Sequence, residues 1–243
     1  MTVPLVAADH AGNWRQPGLA TDGPELIGRR EQAHLVERPE MQLDHNGYYP
    51  LPPGKVAALV TYLEMTERPP AAALRDRPDL SLRRVAAPDL DWYRDLFRRI
   101  GTDWLWFGRL VMPDEQVRAT ITHPLVEVHA LTWDGREEGL VELDRREAPD
   151  IEIAYFGVTP ALLGQGAGRW LMLRALAAAW AYDPRRVLVH TCSLDHPQAL
   201  QFYIRSGFRP YARAVEVADD PRLVGLAPRD SARWLPLIEN SDR

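Results

Sequence analysis

The sequence predicts an α/β (α+β) fold, with helices flanking a mixed, mostly antiparallel central sheet of about seven strands. Apolar runs of strand length are joined by tight turns, as at Asp134-Gly135, which is typical of antiparallel hairpins. One strand, a helix and another strand follow each other between residues 151 and 191, which predicts a parallel crossover. The chain has 243 residues, 46% hydrophobic and 26% charged, as expected of a globular protein with one sizeable core.

Residues 1–79 predict an irregular N-terminal extension, because turn formers are frequent and no periodicity is sustained up to residue 53. Within this extension, KVAALVTYLEM at 55–65 is apolar enough for an added buried strand, although its length also permits a helix. A proline-rich connector at 68–78 then leads to a regular domain at 80–217. Residues 218–243 are left as a C-terminal tail.

The regular domain opens with a short strand at 80–85. A helix at 89–100 follows, since its apolar residues share one face and Gly101 can end it. Pro113 begins a second short helix. The remaining elements are predicted in this order: a hairpin of strands at 125–133 and 139–144, a strand at 151–158, a helix at 169–182, and strands at 187–191 and 211–217.

A glycine-rich turn, with Gly164, Gly166 and Gly168, lies between the strand at 151–158 and the next helix. Glycine lets a backbone approach a ligand closely, and a helix start offers unpaired N–H groups and a positive dipole end. The turn therefore favours an anion site, with a plain tight turn as the alternative. The turn does not match the dinucleotide-binding motif, because Arg169 or Leu171 stands where that motif has its last glycine. It does not match a Walker loop either, because no lysine follows its glycines.

A second motif lies in residues 195–208, which predict a short helix capped by Asp195 or His196. Ala199 and Tyr203 share one face of this helix, and Gly207 suits its left-handed end.

Together the two motifs resemble the GNAT superfamily of acyl-CoA-dependent N-acetyltransferases. Residues 163–168 resemble the family's pyrophosphate loop, R/Q-x-x-G-x-G/A, and residues 196–208 resemble N-x-x-A-x-x-x-Y-x-x-x-G-F. The chain departs from these patterns at Leu163, where the family has Arg or Gln, and at His196, where it has Asn. The resemblance covers about residues 80–217 and implies the family's fold.

The resemblance also implies that acetyl-CoA is the cofactor. In this family a bulge splays two parallel strands, and the pantetheine arm pairs with the exposed strand backbone. Gly157 matches that place, and a glycine within a strand indicates a bulge, a close approach or a packing gap. The cofactor-binding residues implied are Phe156, Gly157, Val158, Leu163, Gly164, Gln165, Gly166, Ala167, Gly168, Arg169, His196 and Ala199.

Catalysis requires a neutral amine and a proton for the departing thiolate. An alkylammonium of pKa about 10.4 is neutral in only about one part in 10³ to 10⁴ at pH 7, so a base or a desolvating pocket must help. The resemblance implies Glu152 as the base and Tyr203 as the proton donor. A solvent-facing carboxylate and a packed aromatic are the alternatives, and His190 and His129 are further candidate bases.

The segment 101–107 joins the first two helices, where the resemblance places the mouth of the acceptor site. We expect Asp103, Trp104, Trp106 and Phe107 to bind substrate, although aromatic residues this close together could also belong to the core. Asp114 and Glu115 add negative charge nearby. The segment thus predicts an acceptor amine with an apolar body, attracted by carboxylates or by an aromatic face.

Composition excludes several other classes of function. The net charge of -5 argues against a nucleic-acid surface. A single cysteine, Cys192, permits no internal disulfide and fits a small buried residue better than a nucleophile. The sequence has neither H-E-x-x-H nor enough cysteines for zinc, so no metal is predicted. The N-terminus has no signal-peptide pattern and no run is long enough to span a membrane, so we expect a cytoplasmic protein.

These observations predict an N-acetyltransferase that moves the acetyl group of acetyl-CoA to a primary amine by direct attack on the thioester. A small-molecule amine is favoured, a protein or peptide amine stays open, and a homodimer is open because many relatives are dimers. The alternative is a non-catalytic module that binds or senses acyl-CoA. The presence of both Glu152 and Tyr203 favours the enzyme.

Overall fold

The computed structural model describes residues 46–70 and 77–239, and expectations for residues 1–45, 71–76 and 240–243 lie outside that range. Seven strands form a single sheet in the order β2-β3-β4-β5-β6-β1-β7. Their bounds are β1 Lys55–Met65, β2 Leu80–Val85, β3 Val126–Trp133, β4 Arg136–Asp144, β5 Asp150–Val158, β6 Arg186–Cys192 and β7 Arg209–Asp219. The predicted class, a mixed sheet flanked by helices, is confirmed.

Five α-helices are present among the described residues: α1 Leu90–Gly101, α2 Gly108–Val111, α3 Asp114–Ile121, α4 Ala167–Trp180 and α5 Ala199–Arg205. Short 3-10 turns lie at Thr102–Trp104 and Pro160–Leu162. The one-turn α2 has no counterpart in the sequence prediction, because four residues are too few to show a helical period. No helix in the described parts of the chain is long and apolar enough to cross a membrane.

Strand pairing is antiparallel except between β5 and β6, which the helix α4 connects. The single predicted crossover is therefore present. The predicted strand at 55–65 also forms, and it pairs on one side with β6 and on the other with β7. The sheet thus includes residues that the sequence assigns to an N-terminal extension. The domain limits at residues 80 and 217 stay predictions.

Helix α1 begins at Asp89, whose side chain accepts hydrogen bonds from the backbone N–H groups of Asp91 and Trp92. Helix α1 ends at Gly101, as predicted. Gly101 is not left-handed, however: the chain continues into the 3-10 turn, and Leu105 takes the left-handed conformation. Gly101 is needed for another reason. A Cβ atom there would lie 2.3 Å from the Cβ of Trp106, so only glycine lets the following loop fold back onto α1.

Each face of the sheet has its own hydrophobic core. One core packs α4 and α5 against strand residues such as Leu63, Ile153 and Val189. The other packs α1 and α3 against β3 and β4. In this second core the buried Glu142 accepts hydrogen bonds from the Tyr93 hydroxyl, at 2.6 Å, and from Arg109. This pair fixes the short α2 against β4, since removing either partner leaves an unpaired buried charge.

The segment after β7 packs against the rest of the chain and is not a free tail up to residue 239. Arg222 forms a buried ion pair with Asp220 at 2.7 Å and donates to the carbonyl of Leu235 at 2.8 Å. The carbonyl of Ile238 accepts a hydrogen bond from the N–H of Gly54 at 2.8 Å. These contacts hold residues 220–238 beside the start of β1.

Candidate functional site

The site begins where two neighbouring parallel strands separate. β5 and β6 pair only from Asp150 to Ile153, and among the described residues no pairing between them continues further. At the same point β5 shifts register against β4, so that Ala154 is an extra residue between Ile153 and Tyr155. Beyond this bulge β5 follows β4, and a gap opens toward β6. The expected bulge is therefore at Ala154 and not at Gly157.

Gly157 is required because two side chains approach it closely. A Cβ atom at this position would lie 2.5 Å from Cγ2 of Ile100 and 3.0 Å from Cη2 of Trp106. Its pairing with Leu140 of β4 is regular. Of the three explanations open from the sequence, the close approach is the one that the structure supports.

Trp106 extends from the loop after α1 to the end of β6. Its ring packs against Phe97 and Tyr155, and its Nε1 donates to Oδ1 of Asp195 at 3.0 Å. This packing assigns Trp106 to the support of the site, although the sequence placed it among the substrate-binding residues. Its direct contact with a substrate stays a prediction.

Asp195 binds the end of β6 and does not cap α5. Its Oδ2 accepts from the Thr191 hydroxyl at 2.8 Å and from the N–H of Cys192 at 2.9 Å. The turn before α5 is instead closed by His196, whose Nδ1 accepts from the N–H of Gln198 at 3.1 Å. Both predicted caps are therefore wrong, because α5 begins after Gln198 and has no side-chain capping hydrogen bond. Burial raises the pKa of the Cys192 thiol to about 12, which disfavours a nucleophilic role.

Glu152 and His190 form a hydrogen-bonded pair across β5 and β6, with 3.0 Å between Oε1 and Nδ1. Their side chains are 23% and 42% exposed, so both can be reached from solvent. Partial burial alone would lower the pKa of His190, but the hydrogen bond and the charge of Glu152 outweigh it and raise that pKa above its usual value. The sequence offered these residues as separate bases, and the structure joins them.

Tyr203 is buried on α5, with its ring edge-on to Phe156 at 6.2 Å between centroids. Burial, and then the charge of Asp195, raise the pKa of Tyr203 well above its usual value, so its hydroxyl stays neutral. Asp195 also contributes to the raised pKa of His190. The charge of Asp195 therefore acts on both candidate proton-transfer groups, His190 and Tyr203. His129 lies on β3, paired with Glu127 at 3.0 Å, away from this site.

The glycine turn is shaped as an open cradle. Gly164 and Gly166 have φ angles of 74° and 77°, which favour glycine, and Gly166 stands directly before α4. No atom lies within 4 Å of a Cβ built on Gly164 or Gly168. The first N–H groups of α4 have no partner within the helix and face this end. The turn thus has the space and the donors that a pyrophosphate requires.

The side chains around the turn contribute less than its backbone. Leu163 is 44% exposed and carries no charge. The amide of Gln165 donates back to the carbonyl of Ala161 at 2.5 Å, so it is used within the turn. Arg169 is exposed on the first turn of α4. Ala167 is fully buried under the turn, and Ala199 begins α5.

Trp104 links the acceptor segment to the second motif. Its ring lies 4.9 Å from that of His196 and 5.4 Å from that of Trp234, between centroids. Trp234, which is 54% exposed, comes from the segment after β7, and no local pattern could have revealed this contact. Asp103 is exposed beside Trp104, and Phe107 is half-buried. Trp104, Trp234 and His196 are called the aromatic rim below.

Comparison with known proteins agrees with this geometry. The family model for the acetyltransferase (GNAT) domain matches residues 106–220. The structure is similar to that of a GCN5-related N-acetyltransferase from Sphaerobacter thermophilus, with a TM-score of 0.52 and 16% identity over 67% of this chain and 52% of that one. It is also similar to a conserved protein of unknown function from Staphylococcus epidermidis ATCC 12228, with a TM-score of 0.51 and 15% identity over 69% of this chain.

This chain spans 64% of the Staphylococcus epidermidis protein and 52% of the Sphaerobacter thermophilus protein. At these identities the two likenesses show a shared fold. No curated protein sequence matches the chain.

The pairing of Glu152 with His190 predicts a measurable shift in titration. Changing Glu152→Gln removes the charge that raises the pKa of His190 but leaves its partial burial, so this pKa should fall. Histidine titration followed by NMR measures it. The matched change Glu127→Gln, beside His129, should leave the pKa of His190 where it was. An unaltered pKa of His190 in the Glu152 variant would contradict the assigned pairing.

Proposed function

Since residues 106–220 belong to the GNAT acetyltransferase family, we propose that this chain is an acetyl-CoA-dependent N-acetyltransferase acting on a primary amine. One observation carries the proposal. The gap between β5 and β6 opens at the same end of the sheet as the glycine turn, the Glu152–His190 pair and Tyr203. An anion cradle, a base and a hydroxyl donor then border one opening, as acyl transfer to an amine requires.

The residues at this opening fit acetyl-CoA. The turn at 163–169 holds the pyrophosphate through backbone N–H groups, and the open space above Gly164 and Gly168 leaves room for it. The backbone of 156–158 pairs with β4 on one edge only, so its other edge can hydrogen-bond the pantetheine amides. His196 and Ala199, at the start of α5, border the other side of the opening. When bound, the cofactor supplies an acetyl thioester that is activated toward amines.

The Glu152–His190 pair acts as the base. Neutralising an alkylammonium at pH 7 costs roughly 4 to 5 kcal/mol, which a positioned base reduces. The Nδ1 of His190 is held by Glu152, which leaves Nε2 to accept the proton of the amine directly or through water. A histidine with a raised pKa is a stronger base here than a carboxylate alone, and Glu152 stabilises the imidazolium that forms.

Tyr203 supplies a hydroxyl to the departing sulfur. A free thiol has a pKa of about 8.5, well below that of this buried tyrosine, so complete proton transfer from Tyr203 to a thiolate is unfavourable. The neutral hydroxyl instead donates a hydrogen bond to the sulfur while charge develops there. The thiolate of coenzyme A takes a proton from water after it has left, and Tyr203 keeps its own proton. This role depends on Tyr203 staying protonated, which its burial ensures.

The aromatic rim favours an acceptor with an apolar or cationic body. The indole faces of Trp104 and Trp234 attract an ammonium group, and the exposed Asp103 adds a negative charge beside them. His196, which follows Asp195 directly in the sequence, joins the rim through its ring contact with Trp104. A small-molecule amine is the favoured acceptor, and a peptide amine is the second class of acceptor to be tested.

Binding of coenzyme A is tested at Gly168. Its backbone does not require glycine and no atom lies within 4 Å of its Cβ position, so Gly168→Val should fold normally while filling the cradle. We expect the Kd for coenzyme A to rise at least about tenfold, or ~1.4 kcal/mol, by calorimetry. The control Gly135→Asn alters an equally open glycine at the β3–β4 hairpin and should bind normally. Unchanged affinity in Gly168→Val would remove the cradle from the proposal.

Turnover is tested by thiol release from acetyl-CoA with polyamines, amino acids, aminoglycosides and peptides. Positioned acids and bases contribute about 10² to 10⁴ in rate, so Glu152→Gln and Tyr203→Phe should each lower kcat at least about 10²-fold. In the Glu152 variant the acidic limb of the pH profile should move to lower pH, because His190 loses the charge that raises its pKa. The control His129→Gln should keep its kcat. Wild-type protein that binds coenzyme A but releases no thiol with any amine would be a binding module.

The acceptor role of the aromatic rim is tested by Trp104→Ala. The KM for the amine should rise several-fold, because a cation–π and packing surface is lost, while the KM for acetyl-CoA stays nearly constant. The control Trp92→Ala removes an indole from α1, where it bonds Glu137 away from the rim. Equal weakening of both substrates by Trp104→Ala would assign this residue to the core.

A further inference from the structure

Arg77 reaches the glycine turn from a distant part of the chain. It lies in the connection before β2, and its Nη1 donates to the carbonyl oxygen of Gln165 at 2.9 Å. The same nitrogen is 4.0 Å from the Cβ position of Gly166, the residue directly before α4. A guanidinium group therefore stands at the edge of the cradle. Nothing in the sequence near residue 77 indicates this position.

Asp79 fixes the orientation of this guanidinium. The Nε of Arg77 donates to Oδ1 of Asp79 at 2.8 Å, and Nη2 donates to Oδ2 at 2.6 Å. The bond to Gln165 is a third, and a guanidinium has five N–H groups. Among the contacts of the described residues, two N–H groups are thus left for a ligand. The side chain is only 25% exposed, so much of its ordering is complete before any ligand binds.

Residues 163–168 offer no charged side chain for this task, and Arg169 follows them on the first turn of α4. Leu163 occupies the position where the resembled loop carries Arg or Gln, and Gln165 is bonded to Ala161 within the turn. Backbone N–H groups can bind a pyrophosphate, but its two negative charges also favour a cation. Arginine suits phosphate because it offers several donors in one plane.

We propose that Arg77 is a pyrophosphate-binding residue of this chain, replacing from the β2 side the polar side chain that Leu163 does not provide. The inference rests on the proposed use of acetyl-CoA and adds a residue outside the matched range 106–220. Asp79 partly offsets the positive charge, so the contribution of Arg77 comes from directed hydrogen bonds more than from net charge. The rival explanation is that Arg77 only holds the turn in shape through Gln165.

Calorimetry with coenzyme A on the full chain tests the proposal. Arg77→Gln should raise the Kd about tenfold, or ~1.4 kcal/mol, and should weaken the dependence of Kd on salt. Arg77→Lys, which keeps the charge without the planar fork, should recover part of the affinity. The control Arg83→Gln removes a half-exposed arginine of β2 that pairs with Glu137 instead of the turn, so it should bind as tightly as wild type.

Hydrogen exchange of residues 163–169 without ligand separates the two explanations. A ligand contact leaves their exchange unchanged in Arg77→Gln, whereas a purely structural tether increases it together with the Kd. Increased exchange, or a Kd and salt dependence equal to wild type, would overturn the inference and leave the proposed function standing. Failure of wild-type protein to bind coenzyme A would instead overturn the proposed function itself.

Discussion

Parallel pairing between β5 and β6 stops after Ile153 because the bulge at Ala154 turns β5 toward β4. Had the pairing continued, the backbone of 156–158 would be hydrogen-bonded to β6 and closed to any ligand. The N–H and C=O groups of a buried strand edge need hydrogen-bond partners. Here the edge of β5 that faces β6 borders the gap, and Trp106 crosses this gap to bond Asp195. The glycine turn and α4 come after the end of β5, and α5 comes after the end of β6. Separation of the two strands therefore also separates these elements. One extra residue thus creates the opening around which the other groups are arranged.

Asp195 affects the protonation of both candidate proton-transfer groups of the site. It is fixed by Thr191 and the N–H of Cys192, so its charge has a constant position. From there it helps to raise the pKa of His190 and that of Tyr203. The raised pKa makes His190 a stronger base and Tyr203 a weaker acid. For the acetyl transfer that we propose, this arrangement favours activation of the amine over protonation of the leaving group, and a thiolate can leave without full protonation.

Features that depend on residues close together in the sequence were predictable, whereas features that depend on contacts between distant segments were not. The β3–β4 hairpin, the strand at 55–65 and the glycine turn each have a pattern within a few residues. The sequence did not locate the bulge at Ala154, because strand register depends on the neighbouring strand. Within β5 only Gly157 had a residue type that indicates a bulge. The inclusion of β1 in the sheet, the contact of Trp104 with Trp234 and the approach of Arg77 to Gln165 join distant segments. The roles of the site residues stay predictions.

Trp106 makes two separate glycines necessary. A Cβ at Gly101 would meet the start of its side chain, and a Cβ at Gly157 would meet the far edge of its ring. Neither glycine can acquire a side chain while the indole is present, and a smaller residue at 106 alone would leave a cavity and free Asp195. The indole of Trp106 therefore limits which residues fit at positions 101 and 157, and Ile100 adds to the limit at 157.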